Sequence, residues 1–250
     1  MSQPVHVITG GARGFGRAIA ERLLADGGQV CLLGRSRESL DEAVAALGAD
    51  ASAVVCDVGD AASVSAAFAR VAARHGRINS LIANAGAARP GRVEALCADE
   101  VQLQVSANFL GTVFCAQAAI PLLRGAANPR IVTMSSASAW HYDEMSHLSI
   151  YAATKAAVER FTRDLREELQ PDGIGVTCLR PGAAESGFTA DWDLDTLQQA
   201  FVAWRDSGPH MDVGMTTAQV ADAVAWILGQ PPGVAVDLLE IRPNTLAPKP

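Results

Sequence analysis

A tyrosine and a lysine stand four positions apart in the segment SIYAATK at residues 149–155. Residues i and i+4 share one face of a helix, so Tyr151 and Lys155 can act on the same bound molecule. A tyrosine with its ordinary pKa of about 10 is a poor proton donor or acceptor near neutral pH. A fixed ammonium favours the tyrosinate and is expected to lower the pKa of Tyr151, which suits it to acid–base catalysis. Taken alone, this spacing is more typical of an ordinary turn of surface helix.

A second candidate site is the stretch VHVITGGARGFG at residues 5–16, which has four glycines in its last seven positions. It follows a predicted strand and opens a predicted helix, where glycines let the backbone approach a phosphate and free helix N–H groups attract its charge. Its G-x-x-x-G-x-G spacing differs from the G-x-G-x-x-G of the general dinucleotide fingerprint. A plain strand-to-helix turn requires one glycine rather than four, so we interpret the loop as a candidate pyrophosphate site.

Two arginines indicate which dinucleotide would bind. Proteins that bind NAD usually carry Asp or Glu about 20 residues after the glycine loop, bonded to the ribose 2′-hydroxyl. Here that position is Gly34, followed by Arg35. A guanidinium pairs with the 2′-phosphate of NADP, which a carboxylate would repel. Arg13 extends from the glycine loop toward the same ribose, so NADP(H) is the preferred cofactor and NAD(H) is the alternative.

These residues fall within an alternation of short apolar runs and longer segments of helical periodicity. The predicted strands are 5–9, 30–33, 53–56, 80–83, 130–134, 175–179 and 236–241, and the predicted helices are 16–25, 39–47, 61–75, 99–123, 151–169 and 217–228. Strands that are apolar throughout are buried on both faces, and their alternation with helices indicates a parallel sheet with right-handed crossovers. We therefore predict one doubly wound α/β domain over residues 1–250, with ligands at the carboxyl ends of the strands.

Composition restricts the function further. With 49% hydrophobic residues and a net charge of −7, the chain has material for a large core but no cationic excess for a nucleic-acid or anionic-membrane surface. Its five cysteines are dispersed without a C-x-x-C pair, as is typical of free thiols in a reducing compartment. We find no signal peptide, and the apolar stretch 109–123 is too short to cross a bilayer. We expect a cytoplasmic protein without a metal site.

Five short motifs occur in order: T-G-x-x-x-G-x-G at 9–16, NAG at 84–86, SS at 135–136, Y-x-x-x-K at 151–155 and PG at 181–182. In this order the sequence resembles the short-chain dehydrogenase/reductase family over essentially its whole length. The resemblance implies a Rossmann-type domain whose mostly parallel sheet has seven strands flanked by helices. It also implies an oxidoreductase that interconverts a ketone or aldehyde and a secondary alcohol by hydride transfer with NADP(H) or NAD(H).

The resemblance also assigns roles to individual residues. Those expected to bind the cofactor are Gly10, Arg13, Gly14, Phe15, Gly16, Arg35, Asp57, Val58, Asn84, Ala85, Gly86, Tyr151, Lys155, Pro181, Gly182, Ala184 and Ser186. Those expected to catalyse are Asn108, Ser136, Tyr151 and Lys155. Tyr151 would exchange the proton of the substrate oxygen and Ser136 would orient that oxygen. Lys155 would hold the nicotinamide ribose, and Asn108 would hold a water that completes a proton relay.

The sequence departs from the family pattern at three places: the catalytic serine, the residues after Pro181-Gly182, and the C-terminal strand 239–243, which lacks the Gly-Gly turn of many relatives. The usual spacing before the tyrosine selects Ser138 as the catalytic serine, whereas counting from the end of the strand selects Ser136. We favour Ser136, because a loop accommodates extra residues more readily than a strand changes its register. Where the family commonly has a threonine after Pro181-Gly182, this chain has Ser186, which keeps a hydroxyl for the nicotinamide carboxamide.

Two segments are expected to enclose the substrate. One is Trp140-His141-Tyr142, and the other is a lid over about 187–215 with Phe188, Trp192, Phe201, Trp204, Met211 and Met215. Such side chains favour an apolar or aromatic substrate, although a lid helix that merely packs on the sheet would have the same composition. By the resemblance, the apolar segment 99–123 and the helix of Tyr151 are the contact surfaces of a homodimer or homotetramer.

A dinucleotide-sensing protein without catalysis is the alternative to an enzyme on this fold. A sensor has no need to retain Asn108, Ser136, Tyr151 and Lys155 together, and their joint presence favours the enzyme.

Overall fold

The computed structural model describes residues 3–140, 146–187, 189, 192–207 and 214–245. The strands within these ranges are β1 (Val5–Thr9), β2 (Gln29–Gly34), β3 (Ala51–Val55), β4 (Ser80–Ala83), β5 (Arg130–Met134), β6 (Gly175–Pro181) and β7 (Leu238–Ile241). They form one sheet in the order β3-β2-β1-β4-β5-β6-β7, and every neighbouring pair is parallel. The order reverses direction between β1 and β4, which opens a ligand crevice at the carboxyl ends of these strands.

Helices cover both faces of the sheet. They are α1 (Gly14–Ala25), α2 (Arg37–Leu47), α3 (Ala61–His75), α4 (Ala98–Val105), α5 (Gly111–Leu123), α6 (Ser149–Leu169), α7 (Leu194–Ser207) and α8 (Thr217–Leu228). Phe68 of α3, Cys115 of α5 and Leu165 of α6 belong to the apolar cluster on one face, and Ile19 of α1 and Leu40 of α2 belong to the cluster on the other. Full burial of one such aliphatic or aromatic side chain stabilises the fold by about 1.5–3 kcal/mol, so the sheet is a firm platform for its strand ends.

The predicted fold class is confirmed, and the elements follow the predicted order. Strands β1, β4 and β5 and helices α3 and α8 have the predicted bounds. Strand β7 begins at Leu238 rather than at residue 236, because its pairing with β6 begins at Cys178 and Leu238. Strand β6 continues beyond the predicted 175–179, and its Arg180 and Pro181 pair with Glu240 and Ile241 of β7.

The apolar segment 99–123 is helical as predicted, but it contains an irregular turn. Helices α4 and α5 are joined by a π-helical turn, Ser106–Leu110, into a continuous run over Ala98–Leu123. This run of 26 residues, with a mean hydropathy of 1.4 in its most apolar window, is long and apolar enough to cross a membrane by length and composition alone, although the 109–123 stretch within it is not. In the fold, α5 packs against α3 and β4, as a core helix does.

Candidate active site

One cavity of about 1260 Å³ runs along the carboxyl ends of the strands. Its lining includes these predicted site residues: Gly10, Arg13, Gly14, Phe15, Arg35, Asp57, Val58, Asn84, Ala85, Gly86, Ser136, Tyr151, Lys155, Pro181, Gly182, Ala184 and Ser186. Gly16 and Asn108 lie behind that lining. The volume exceeds the roughly 300–1,000 Å³ typical of a site for one small ligand, so the cavity has room for a dinucleotide and a second molecule.

The glycine loop turns sharply between β1 and α1. Gly10 and Gly14 have φ angles of +64° and +55°, and a Cβ on Gly14 would lie 2.8 Å from the carbonyl oxygen of Ser186. A Cβ on Gly16 would lie only 2.2 Å from the carbonyl oxygen of Gly10. No side chain caps the start of α1 at Arg13, which leaves its first N–H groups for an anion. This cradle fits the pyrophosphate of a dinucleotide.

Two arginines line the cavity, Arg35 directly after β2 and Arg13 in the glycine loop. Arg13 and Arg35 are both exposed and both border the cavity, and Gly34 is the last residue of β2. Within the described chain, the carboxylates that line the cavity are those of Asp57, Asp60 and Glu185. None of these three follows β2. The position at which proteins that bind NAD carry an acidic residue is therefore followed by Arg35 in this chain.

The residues after β4 are hydrogen-bonded to the end of β1 and the start of the glycine loop. The Nδ2 of Asn84 donates to the carbonyl oxygens of Thr9 at 2.9 Å and Gly10 at 3.3 Å. The N–H of Ala85 donates to the hydroxyl oxygen of Thr9 at 2.9 Å. These bonds hold the end of β4 against the loop, so Asn84 supports the cradle through its side chain.

Asn108 lies in the π-helical turn between α4 and α5, an irregularity that is frequent at functional sites. Its Nδ2 donates to the carbonyl oxygen of Ala87 and the hydroxyl oxygen of Thr154, both at 2.9 Å. Its Oδ1 accepts from the N–H of Ala87 at 2.7 Å. The fully buried side chain of Asn108 thus joins the loop after β4 to helix α6.

Gly86 separates Asn108 from Lys155. A Cβ on Gly86 would lie 3.0 Å from Oδ1 of Asn108 and 3.6 Å from Nζ of Lys155. The two residues predicted to share a proton relay therefore border the same glycine, and their side chains make no direct hydrogen bond.

Ser136, Tyr151 and Lys155 meet at the centre of the cavity wall. The hydroxyl of Tyr151 is hydrogen-bonded to Ser136. The Nζ of Lys155 lies 5.7 Å from the centroid of the Tyr151 ring and donates to the carbonyl oxygen of Met134 at 2.7 Å. The i, i+4 spacing on α6 therefore brings a phenol and an ammonium to one point, and the end of β5 adds a hydroxyl.

The geometry favours Ser136 over Ser138 as the partner of the tyrosine. Ser136 begins the single 3-10 turn Ala137–Ala139 that follows β5. The hydroxyl of Ser138 donates to the hydroxyl oxygen of Ser136 at 3.0 Å, and the N–H of Ser138 lies 3.3 Å from the same atom. Ser138 therefore holds Ser136 in position as a hydrogen-bond donor.

The pKa values of this group differ from the sequence-based expectation. Burial raises the pKa of Tyr151 to about 12, and the hydrogen bond with Ser136 opposes only part of that shift. Burial also lowers the pKa of Lys155 to about 8. The groups of this chain alone therefore raise the pKa of Tyr151, because removing the phenol and the ammonium from water penalises the charged form of each, and the expected lowering also requires the nicotinamide cation.

The segment after β6 closes over the glycine loop. The N–H of Glu185 donates to the carbonyl oxygen of Met215 at 2.8 Å, and the N–H of Met215 donates to that of Ala183 at 2.9 Å. This pairing directs Met215 into the apolar cluster of α1 and α8, so its predicted place in the substrate wall is wrong. Ser186 remains at the cavity, against Gly14.

Aromatic side chains of the predicted lid lie beside Tyr151. Ala88, Leu148, Trp192, Ala200 and Trp204 form a separate buried cluster, against which Tyr151 and Leu197 pack. The Nε1 of Trp204 donates to the carbonyl oxygen of Ser146 at 2.5 Å, and Phe201 lies 5.3 Å from Trp204 between ring centroids. Four other predicted wall residues, His141, Tyr142, Phe188 and Met211, lie outside the described residues.

Glu159 and Arg180 form an ion pair at 2.6 Å near the serine turn, and no sequence pattern singled them out as site residues. Glu159 stands among other charged residues of α6, a pattern typical of a solvated helix face. The available signal is Arg180, a charge directly after a strand predicted to be buried on both faces, where a partner of opposite charge is expected.

A family model described as short chain dehydrogenase matches residues 4–196. Among curated relatives, an oxidoreductase of Staphylococcus epidermidis is 27% identical over 97% of this chain and 98% of the relative. An oxidoreductase of Staphylococcus aureus is 29% identical over the same shares of the two chains.

Solved structures share the fold. An alcohol dehydrogenase from the archaeon Thermococcus sibiricus, complexed with 5-hydroxy-NADP, is 27% identical with a TM-score of 0.83 over 99% of each chain. A 3-ketoacyl-(acyl-carrier-protein) reductase from Brucella melitensis, complexed with NADH, is 27% identical with a TM-score of 0.83 over 96% of this chain and 97% of its own. A serine dehydrogenase complexed with NADP+ is 26% identical with a TM-score of 0.83 over 95% of this chain and 94% of its own. Together with the family model, these likenesses show that the chain belongs to the short-chain dehydrogenase/reductase family of oxidoreductases.

Proposed function

We propose that the protein is an NADP(H)-dependent oxidoreductase that interconverts a ketone or aldehyde and a secondary alcohol. The observation that carries the proposal is the hydrogen bond between Tyr151 and Ser136 beside the buried ammonium of Lys155. All three residues line the cavity that also contains the glycine loop, so a dinucleotide and a substrate can meet at them. Donors placed where charge develops on a substrate oxygen are the usual basis of such catalysis.

Each residue of the group has a step to perform. When bound, a nicotinamide dinucleotide supplies or accepts the hydride and, when oxidised, adds a positive charge near the tyrosine. Ser136 orients the substrate oxygen, because Ser138 donates to Ser136 and leaves the Ser136 proton available. Tyr151 donates that oxygen its proton in reduction and removes it in oxidation. Lys155 favours the tyrosinate and, held by Met134, is placed to bind a ribose hydroxyl.

Asn108 takes part through position. Its side chain bonds to Ala87 and Thr154 and holds the loop of Gly86 against helix α6, beside the ammonium of Lys155. We infer that a water between Asn108 and Lys155 carries protons to and from the tyrosine.

The preference for NADP(H) rests on Arg13 and Arg35. Both border the cavity, Arg35 directly after β2 and Arg13 in the glycine loop, so a 2′-phosphate that lies between them would pair with two guanidinium groups. The Thermococcus and serine dehydrogenase structures contain 5-hydroxy-NADP and NADP+, which supports this preference. The NADH complex of the Brucella reductase keeps NAD(H) as the second candidate. Comparing kcat/KM for NADPH and NADH tests the preference, and Arg35→Asp should shift it toward NADH.

The substrate end favours a molecule with an apolar body. Leu148, Trp192 and Trp204 surround the Tyr151 ring with apolar surface, and the more exposed Phe201 borders the same cavity. Such walls bind alkyl or aryl groups through the hydrophobic effect and leave the reacting oxygen to Ser136 and Tyr151.

A homodimer or homotetramer and a cytoplasmic location complete the proposal. Phe109, Val113 and Phe114 are only partly buried on a helical run whose most apolar window is 33% buried, which favours a partner on that face. All five cysteines are free, and four of them are buried, as suits a reducing compartment.

A panel of ketones, aldehydes and secondary alcohols, followed by NADPH absorbance, tests the activity directly. In that assay Tyr151→Phe should lower kcat by about 10²–10⁴-fold, because the acid–base group is lost. The Kd for NADPH should remain close to that of the wild type. Turnover by Tyr151→Phe equal to wild type would refute the mechanism, and tight NADPH binding without turnover on any substrate would favour a dinucleotide sensor.

A further inference from the structure

The carboxylate of Glu159 lies one helical turn beyond Lys155 on the same face of α6, and its side chain is only 12% exposed. Its Oε1 accepts from the hydroxyl of Ser135 at 2.6 Å and from Nε of Arg180 at 2.8 Å. Its Oε2 accepts from Nη2 of Arg180 at 2.6 Å and from the indole N–H of Trp140. One carboxylate therefore accepts four hydrogen bonds from three residues.

The positions of these donors give the carboxylate its importance. Ser135 and Trp140 are the two ends of the segment 135–140, which contains the 3-10 turn after β5. Within this segment lie Ser136, which bonds to Tyr151, and Ser138, which donates to Ser136. Glu159 thus holds both ends of the segment that presents the catalytic serine.

Arg180 fixes the carboxylate in turn. Its side chain is 9% exposed, and its Nη1 donates to Oε2 of Glu240 on β7 at 2.6 Å. Its guanidinium carbon lies 5.4 Å from the centroid of the Trp140 ring, within the range of a cation–π contact. The network therefore joins α6, the segment after β5, β6 and β7.

Glu159 is ionised at neutral pH. Burial by itself would raise the pKa of Glu159, but hydrogen bonds from Arg180, Ser135 and Trp140 outweigh burial and lower that pKa. A buried ion pair commonly contributes little net stability, because the desolvation of two charges offsets their attraction. Its fixed geometry is the more specific contribution, and here that geometry lies directly behind the catalytic serine.

We propose that Glu159 is a positioning residue for proton transfer: it holds Ser135 and Trp140, and so keeps Ser136 in register with Tyr151, while Arg180 orients the carboxylate. This proposal rests on the proposed reductase activity. A glutamine cannot replace Glu159, because its amide offers one acceptor oxygen and a donor NH2 group that would face another N–H or O–H donor. A displacement of about 1 Å at such a site can cost 10²-fold in rate.

The test compares Glu159→Gln with Glu168→Gln, an exposed position on the same helix that makes the same chemical change. When the assay temperature is well below the melting temperature of the variant, we expect Glu159→Gln to lower kcat by about 10- to 100-fold. The Kd for NADPH should remain unchanged. Glu168→Gln should have wild-type kcat. A Glu159→Gln enzyme with wild-type kcat overturns the proposal, whereas a wild-type enzyme without turnover refutes the reductase activity instead.

A double-mutant cycle separates positioning from general stabilisation. If Glu159 acts through Ser136, Glu159→Gln should cause almost no further loss of kcat in a Ser136→Ala background. The same fold-loss in both backgrounds would show a role independent of the serine and overturn the proposal.

Trp140→Phe provides a second variant if Glu159→Gln does not fold. It removes one donor to Glu159, leaves the pair with Arg180 intact and does not alter a residue that lines the cavity. We expect a smaller decrease in kcat that also disappears in the Ser136→Ala background. Wild-type kcat in Trp140→Phe, with the serine intact, contradicts the proposal.

Discussion

The ammonium nitrogen of Lys155 donates a 2.7 Å hydrogen bond to the carbonyl oxygen of Met134, the last residue of β5. The side chain of Lys155 is nearly fully buried, and burial lowers its pKa to about 8. A single backbone acceptor thus fixes the direction of a cation that the fold has largely removed from water. Such an arrangement suits a binding and catalytic group better than a stabilising one.

Lys155 should make stability depend on pH in the alkaline range. Its pKa is about 8 in the folded chain against 10.5 when unfolded, so between these values the unfolded state binds more protons. The free energy of unfolding should therefore rise as pH increases from 8 to 10.5, by up to about 3 kcal/mol from this group. Urea unfolding across that range measures the slope, and Lys155→Met should flatten it. Equal slopes in the two proteins would refute this assignment.

Substitution of Ser136 and of Ser138 should lower kcat to different extents. Ser136→Ala removes the partner of Tyr151 and should lower kcat by about 10²-fold or more. Ser138→Ala removes only a 3.0 Å hydrogen bond to Ser136, so its decrease in kcat should be several-fold smaller than the decrease caused by Ser136→Ala. Steady-state kinetics with one ketone decides the order. A larger loss in Ser138→Ala would transfer the catalytic role to Ser138.

Gly14 should be required for dinucleotide binding. Gly14→Ala combines a positive φ of +55° with a Cβ 2.8 Å from the carbonyl oxygen of Ser186. The matched control is Gly27→Ala, which has a φ of +86° and no atom within 4 Å of its Cβ. Both should lose about 1–2 kcal/mol of stability from backbone strain. Only Gly14→Ala should weaken NADPH binding in a fluorescence titration, and comparable weakening in Gly27→Ala would contradict a specific cradle.

His6 should limit stability in acid. Burial lowers its pKa from 6.5 to about 4, a shift that Asp26 opposes in part. The unfolded state therefore binds more protons between these values, and the free energy of unfolding should fall as pH drops from 6.5 toward 4. Between about pH 6.5 and pH 5 the loss from this group should be roughly 1–2 kcal/mol. His6→Asn should have a shallower slope in urea unfolding, and an unchanged slope would assign the acid sensitivity to other groups.

Much of the fold could be predicted because the apolar pattern of each segment agrees with the place of that segment in the sheet or against it. Apolar runs such as Arg130–Met134 are buried on both faces of the parallel sheet, and each is followed by a helix of the expected period. The glycine loop and the pair Tyr151 and Lys155 were predicted because each depends on residues close together in sequence. Their common cavity then follows from parallel strands ending at one edge.

Features that depend on distant contacts could not be predicted. The role of Glu159 requires Arg180 from another element, and no local pattern distinguishes this glutamate from its solvated neighbours. No sequence pattern marks the π-helical turn at Asn108, since apolar α-helical and π-helical segments have the same composition. The upward shift of the Tyr151 pKa by the groups of the chain could not be predicted, because it depends on burial, whereas the sequence displays only the nearby cation.

The close approach of Ser186 to Gly14 has a consequence for the release of a bound dinucleotide. A Cβ on Gly14 would lie 2.8 Å from the carbonyl oxygen of Ser186, so the backbone after β6 lies against the glycine loop at the cavity. Hydrogen bonds of Ala183 and Glu185 with Met215 hold this backbone in place. We therefore expect a dinucleotide on the glycine loop to lie against residues 183–186 as well, which ties its release to the movement of that segment.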